Sequence, residues 1–256
     1  MLLAIDIGNT QIAAGFFVEG KLVSHWRLSS RLERTEDETW ILMQSICEAH
    51  GYNIQETTGV AISSVVPDMT PTYDKMARKY LSVEPVIVSH EIDTGLTILY
   101  DNPANVGADR LCNAVAGFKK FGGPLIIVDF GTATTFDVIS GTGEYLGGII
   151  APGIETSSTV LHRRAARLPR VELRFPPKVI GSSTEASMQS GLMYGAVEMV
   201  DGIIKRINVE LGRESATVAT GGLARVILEK LKMVSNIDAF LTLEGLYLIY
   251  QRVRKK

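Results

Sequence analysis

Two short stretches of the sequence repeat one pattern of side chains. Residues 2–10 are LLAIDIGNT and residues 125–136 are LIIVDFGTATTF, so an apolar run twice ends in Asp-x-Gly, with a Thr close behind. Asp and Gly suit the backbone angles of hairpin turns, so either copy alone could be purely structural. The glycines, Gly8 and Gly131, would also let a phosphate approach the backbone, and Thr10 and Thr132 would add hydroxyl donors. Together the two turns predict a clamp for a nucleotide triphosphate.

The aspartates of this pattern, Asp6 and Asp129, would repel a polyphosphate unless a cation lay between them. Magnesium keeps several of its waters and accepts only one or two carboxylates, so an ion arriving with ATP would be served by Asp6 through water. No Lys or Arg lies in DFGTATT to offset the charge of Asp129. A monovalent cation, potassium or ammonium, held by Asp129 and nearby carbonyl oxygens would fill this role.

The segment YDNPANVGADRL, residues 100–111, contains candidates for binding the phosphate acceptor. Phosphoryl transfer to an alcohol needs a group that orients the hydroxyl and accepts its proton, and Asp109 is the candidate base. Arg110 beside it could hold a carboxylate in a forked pair of hydrogen bonds. The structural alternative is an ordinary helix start, with Pro103 in the approach and Asp109 stabilised by the helix dipole.

Composition narrows the choice of partners and compartment. The net charge of −2 gives no bulk basic field, which disfavours nucleic acid. No apolar stretch approaches the roughly 20 residues of a membrane span, so we expect no membrane partner and a cytoplasmic location. Cys47 and Cys112 match no metal-ligand spacing and no disulfide framework. The four histidines lie in unrelated contexts and receive no assignment. The basic stretch HRRAARLPR could bind a polyphosphate or a carboxylate, although charge runs are usually solvated faces.

The elements that must position these residues form two α/β parts. Hydrophobic patterning predicts that each part opens with hairpin strands and closes with helices, which indicates a duplication. We place the halves at residues 1–104 and 105–256. VEPVIVS is predicted to form a strand, and the chain is predicted to turn helical from Asn105 to Phe121. In the second half, a long helix is predicted from about Thr184 to Leu211.

Several motifs in order resemble the type III pantothenate kinases, a family of the actin, sugar kinase and heat-shock ATPase superfamily. They are DIGNT, NPANVGADR, DFGTATT, GGIIAPG, STEASMQSG, ATGG and LTLEGL. The resemblance implies two ribonuclease H-like mixed-sheet domains, ATP with Mg²⁺ and a monovalent cation as cofactors, pantothenate as substrate, and a homodimer. It implies phosphate-binding roles for Asp6, Gly8, Asn9, Thr10, Asp129, Gly131 and Thr132. It implies pantothenate contacts for Tyr100, Gly107, Ala108, Asp109, Arg110 and Thr184.

The sequence leaves alternative functions open for the chain and alternative roles open for some residues. The chain could be another small-molecule kinase of the same fold, for a sugar, although Arg110 favours a substrate with a carboxylate. It could also be a non-catalytic nucleotide-binding regulator, although the intact Asp6, Asp109 and Asp129 disfavour this. Thr184 could act as a helix N-cap. The apolar face of the long helix could serve a dimer contact or an intramolecular core; its residues are Met188, Leu192, Met193, Val197 and Val200.

Overall fold

The structure is a computed structural model and describes residues 1–255. The first strands and helices are β1 (Leu2–Ile7), β2 (Gln11–Val18), β3 (Lys21–Ser29), α1 (Glu36–Ala49), β4 (Gly59–Ser64), α2 (Thr70–Leu81), β5 (Val86–Ile87), β6 (Thr97–Ile98) and α3 (Ala108–Phe121). They are followed by β7 (Leu125–Phe130), β8 (Ala133–Ile139), β9 (Glu144–Pro152), α4 (Ile154–Arg164), α5 (Thr184–Leu211), β10 (Ala216–Gly221), α6 (Ala224–Leu228), β11 (Asn236–Ile237) and α7 (Leu241–Arg254). Short 3-10 turns occupy Ile54–Glu56 and Pro103–Asn105.

The chain forms two compact units. The first contains Met1–Lys119 and Phe240–Lys256, and the second contains Lys120–Ala239. The helix α7 therefore belongs to the first unit, although it follows the second in the sequence. The predicted division between residues 104 and 105 concerns the two halves of a duplication and stays a prediction.

The first unit is built on a mixed sheet in the order β3-β2-β1-β4-β5. The pairs β1–β2 and β2–β3 are antiparallel, whereas β1–β4 and β4–β5 are parallel. One face of β1 packs in a core with Trp40 and Met43 of α1 and with Tyr73 and Met76 of α2. The helix α7 also packs against β1, β2 and β4. Because β1 is central, its carboxyl end lies beside that of the parallel strand β4.

The sheet of the second unit repeats this arrangement. Five of its strands lie in the order β11-β10-β7-β8-β9, with β7–β8 and β8–β9 antiparallel and β10–β7 and β10–β11 parallel. When this order is read from β9 to β11, it matches the first sheet read from β3 to β5. The strand β7 then corresponds to β1, and β10 corresponds to β4. The two repeated turns join β1 to β2 and β7 to β8, so they occupy the same place in each unit.

The long helix α5 has the bounds that the sequence predicts. Its N-cap is Ser183, whose hydroxyl accepts a hydrogen bond from the Ala186 amide, and it ends at Gly212 in the left-handed region at φ 66°. The alternative of Thr184 as N-cap is therefore wrong, because Thr184 is the first helical residue. The apolar face of α5 is buried within the second unit, which favours the intramolecular reading.

Some predicted elements are shorter in the structure. The helix predicted to begin near Asn105 begins at Ala108, because the Asn102 side chain accepts a hydrogen bond from the Ala104 amide and holds the preceding residues in a 3-10 turn. The predicted strand VEPVIVS pairs only at Val86–Ile87. Among residues 1–255, no helix combines the length and the apolar character that a membrane crossing would require.

Candidate active site

The first turn connects β1 to β2 through Gly8, Asn9 and Thr10. The Gly8 amide donates to the Gln11 carbonyl at 3.1 Å, which closes the turn. Asn9 and Thr10 are exposed, and Asp6 is half-buried one residue before the end of β1. A Cβ on Gly8 would lie 2.9 Å from the Gln11 oxygen, so a larger residue would widen the turn. The predicted phosphate-binding residues of this half thus form one tight, accessible loop.

The residues predicted to bind the acceptor lie at the start of α3. The Arg110 amide donates to Oδ1 of Asp109 at 2.7 Å. A Cβ on Gly107 would lie 2.5 Å from that same oxygen and 3.5 Å from Cγ1 of Val65. Glycine at 107 therefore leaves the space that the Asp109 carboxylate occupies. Because the Val65 amide donates to the Ile7 carbonyl at 3.0 Å, this loop lies at the same sheet edge as the first turn.

Cys112 lies one turn further along α3 than Asp109, and the charges of Asp6 and Asp109 both act on its thiol. Its thiol is fully buried, and burial raises its pKa well above the ordinary value. The negative charges of Asp6 and Asp109 raise the pKa of Cys112 further, so both carboxylates lie close enough to act on the thiol. The structure thereby brings the predicted magnesium-serving aspartate and the predicted base together in the first unit.

The protonation of Asp109 is set mainly by its surroundings. Burial raises the pKa of its carboxyl above the ordinary value, while the amide and the positive charge of Arg110 lower it in part. Arg110 itself is only 7% exposed. A raised pKa favours proton acceptance, which is the property expected of a general base.

The second turn is shorter than the first. The Gly131 amide donates to the Ala133 carbonyl at 3.0 Å, two residues on, whereas Gly8 bonds to a carbonyl three residues on. Gly131 and Thr132 are exposed, and Asp129 is half-buried one residue before the end of β7. A Cβ on Gly221, at the end of β10, would lie 2.5 Å from Oδ1 of Asp129. The parallel strand therefore supplies a glycine directly at this carboxylate.

Residues around the second turn that the sequence did not single out support its backbone. The hydroxyl of Thr156 in α4 donates to the Thr132 carbonyl at 2.6 Å. A Cβ on Gly153 would lie 2.3 Å from that oxygen and 2.6 Å from the carbonyl oxygen of Gly131. GGIIAPG, one of the motifs that carry the family resemblance, thus ends in a glycine that lets α4 begin against the turn.

Asp6 and Asp129 supply oxygen ligands next to the two turns. Gly221 leaves room for the Asp129 carboxylate, because a Cβ there would lie 2.5 Å from Oδ1. A carboxylate is an oxygen ligand of the kind that suits a hard cation. Among residues 1–255 no three His, Cys, Asp or Glu side chains gather as a metal site. A magnesium ion that kept several waters would not require such a cluster.

The two remaining predicted substrate residues lie in separate elements. Tyr100 is half-buried and lies between β6 and the Pro103–Asn105 turn. Thr184 is exposed at the first position of α5 in the second unit. Their predicted contacts with substrate stay predictions.

A cavity of about 290 Å³ opens beside Gly107 in the first unit. Its lining comes from the end of β4, the segment after β5 and the loop before α3, and consists of Ser64, Val65, Val88, Ser89, His90 and residues 104–108. His90, which received no role from its sequence context, is thus next to the predicted acceptor loop. Only the tertiary fold brings it there.

Comparison with known proteins identifies the family of this chain. The family model for type III pantothenate kinase matches residues 2–206. A type III pantothenate kinase from Bacillus cytotoxicus is 45% identical over 252 residues, which covers 98% of this chain and 96% of the relative.

Solved structures share the fold at low sequence identity. An activator of 2-hydroxyisocaproyl-CoA dehydratase from Clostridium difficile, with bound ADPNP, matches with a TM-score of 0.57 and 12% identity over 99% of this chain and 96% of its own. A ROK family glucokinase from Streptomyces griseus, in complex with glucose and AMPPNP, matches with a TM-score of 0.51 and 13% identity over 100% and 99%. These likenesses confirm the predicted α/β fold of two duplicated mixed-sheet, actin-like halves.

A matching family model and a relative of nearly the same length establish the family of this chain. The chain also contains the two turns, the Asp109 loop and the duplicated sheets. The chain belongs to the type III pantothenate kinase family.

Proposed function

We propose that this kinase transfers the γ-phosphoryl group of ATP to the primary hydroxyl of pantothenate, the first step toward coenzyme A, with Asp109 as general base. Family membership supports ATP and pantothenate as the substrates. The observation that carries the role of Asp109 is its position. It lies at the amino end of α3, in a space kept open by Gly107, with its pKa raised by burial.

Arg110 is the proposed partner of the pantothenate carboxylate. Its guanidinium is nearly buried, and a charge pair formed away from bulk water is screened less than one at the surface. In this proposal the acceptor loop supplies the base from one residue and the carboxylate clamp from the next. Tyr100, Gly107, Ala108 and Thr184 complete the proposed pantothenate site.

The two turns are the proposed ATP phosphate sites. Gly8, Asn9 and Thr10 of the first turn and Gly131 and Thr132 of the second would present amides and hydroxyls to the phosphates. Asp6 would serve magnesium through water, and Asp129 would hold a potassium or ammonium ion. Such an ion would supply positive charge beside the polyphosphate.

We also propose a homodimer located in the cytoplasm. Apolar side chains exposed on the second unit, and not the buried face of α5, are what support association. Ile180 is 89% exposed, Ile150 66% and Val179 63%. The cytoplasmic location rests on the sequence and on the family's metabolic role.

The test is a coupled assay of ADP release by the purified chain with ATP, magnesium and potassium. We expect ADP release to depend on pantothenate and not on glucose or N-acetylglucosamine. Release that ran at the same rate without pantothenate would contradict the proposal. Release that depended on a sugar would favour the alternative sugar kinase, and no release with any acceptor would favour the regulator.

The role of Asp109 is tested by Asp109→Asn, which keeps the shape and removes the proton acceptor. We expect kcat to fall about 100-fold to 10,000-fold. Asn keeps an oxygen that can accept the hydrogen bond of the Arg110 amide, so the variant should stay folded, which Tm would check. Asp101→Asn, at an exposed acid before the loop, is the matched control. Near-normal turnover of Asp109→Asn would remove Asp109 from the role.

A further inference from the structure

Ser30 lies directly behind the first turn and contacts it twice. Its hydroxyl donates to the Gly8 carbonyl at 2.5 Å, and its amide donates to the Thr10 carbonyl at 3.1 Å. These two carbonyls flank Asn9, the exposed residue at the tip of the turn. Ser30 follows the last residue of β3, where Ser29 pairs with Gln11. One residue thus holds both the Gly8–Asn9 peptide and the Thr10–Gln11 peptide.

The orientation of a carbonyl determines where the next amide points. In a trans peptide the C=O and the following N–H point in opposite directions. Since the Gly8 carbonyl is directed at Ser30, the Asn9 amide is directed away from Ser30, toward the open side of the turn. Consecutive outward amides in a turn form an anion-binding concavity. The hydroxyl of Ser30 therefore presets a donor that an ATP phosphate would use.

The second turn has a support of the same chemistry from a different element. The Thr156 hydroxyl donates to the Thr132 carbonyl at 2.6 Å, and Thr156 lies in the first turn of α4, not at the end of a strand. By the same peptide geometry the Ala133 amide is directed away from Thr156. The turns differ in length by one residue, yet in each a hydroxyl from outside the hairpin holds a carbonyl.

We propose that Ser30 and Thr156 are positioning residues for ATP, because their hydroxyls hold the two turns with amides directed toward the phosphates. The inference rests on the proposed function in that ATP is the ligand. Neither residue touches the reacting atoms in this proposal. Each acts through the peptide that it orients, so its loss should weaken ATP binding and leave the acceptor loop unchanged.

The first test is Ser30→Ala in the full chain. Loss of one hydrogen bond to the turn should raise the KM for ATP about 3-fold to 10-fold, with the KM for pantothenate unchanged. Ser30→Thr keeps the hydroxyl and should restore the KM for ATP. Ser29→Ala, at the exposed neighbour, is the matched control and should bind ATP as the wild type does.

The second turn is tested by Thr156→Val, which keeps the branched shape and removes the hydroxyl. We expect the same direction and range in the KM for ATP, with rescue by Thr156→Ser. Thr159→Val, at an exposed threonine further along α4, is the control. If Thr156 had only a structural role, Thr156→Val would lower Tm without changing the KM for ATP more than the KM for pantothenate.

Titration calorimetry of each variant with magnesium and ATP, without pantothenate, separates this inference from the proposed reaction. If the wild type binds ATP but does not phosphorylate pantothenate, the reaction is wrong while the role of Ser30 is still measured by binding. The inference is supported if Ser30→Ala and Thr156→Val weaken ATP binding and the hydroxyl-retaining variants do not. Equal ATP affinity in Ser30→Ala, Ser29→Ala and the wild type would overturn it, as would failure of Ser30→Thr to restore the affinity of a folded chain.

Discussion

Gly221 lies against the carboxylate of Asp129, so that a Cβ on Gly221 would lie 2.5 Å from Oδ1 of Asp129 and 2.7 Å from backbone atoms of Phe130. Gly221 also has φ +92°, a conformation that other residues rarely adopt. The parallel pairing of β10 with β7 places the end of one strand at the end of the other. The proposed cation site therefore depends on the absence of a side chain on β10, the strand next to the one that leads into the turn.

Gly221→Ala should disturb both the fold and the proposed cation site. Gly212 offers a matched control, because it has φ +66° with no atom within 4 Å of an added Cβ. Gly212→Ala carries only the backbone cost, about 1 kcal/mol or roughly 2–4 °C in Tm. We expect Gly221→Ala to lower Tm at least twice as far and to remove most activity. Equal losses of Tm and normal activity in both variants would show that the contact with Asp129 is unimportant.

The pH dependence of turnover should reflect the raised pKa of Asp109. A base works in its ionised form, so kcat falls as pH drops through the pKa of the folded enzyme. Burial raises that pKa and Arg110 lowers it in part, so the acid limb should lie above the value of about 3.9 typical of free aspartate. We would measure kcat from pH 8 downward at saturating substrates, with circular dichroism to confirm folding. A kcat that stays constant down to pH 4.5 would contradict this role.

The proposed cation at Asp129 predicts a specific salt response. Activity with ATP and magnesium should be low in sodium or Tris buffer and rise strongly with potassium or ammonium chloride. Asp129→Ala should lose both the activity and the response. Ionic strength must be matched, because general screening alone changes charged interactions. Equal rates in sodium and potassium across the titration would exclude a selective monovalent site.

The proposed dimer predicts that a charge on the exposed apolar surface of the second unit weakens association. Ile180→Glu places a carboxylate at a side chain that is 89% exposed, so folding of the single chain should be little affected. Light scattering at micromolar concentration should give a dimer mass for the wild type and a lower mass for the variant. Ile41→Glu, at a 61% exposed position in α1, is the control. A monomer mass for the active wild type would end the proposal.

The sequence predicted those parts of the fold that depend on local patterns. The hairpins around the two turns and the bounds of α5 follow from alternation and helical periodicity, whereas the N-cap is Ser183 and not Thr184. The start of α3 was predicted about three residues early, because the Asn102 cap creates a 3-10 turn that hydrophobic periodicity does not reveal.

The site was only partly predictable, because local sequence patterns identify residues but not the tertiary contacts between them. Asp6, Asp109 and Asp129 were identified from residue type and motif, but the grouping of Asp6 and Asp109 about Cys112 depends on how α3 packs at the sheet edge. Ser30 and Thr156 belong to no motif, and only strand register and helix placement bring their hydroxyls to the turns. Contacts of this kind are set by tertiary structure and have no local signal.

The membership of α7 in the first unit has a consequence for how the protein is made. The helix α7 packs against β1, β2 and β4, and Gly245 lies so close to the Cys112 carbonyl that only a glycine fits there. On the ribosome, residues 120–239 emerge before α7, so the second unit has its whole chain available first. The first unit, although its strands are synthesised earliest, must wait with the apolar surface of β1 and α3 uncovered. The half that carries Asp6 and Asp109 is thus completed only after α7 has been synthesised.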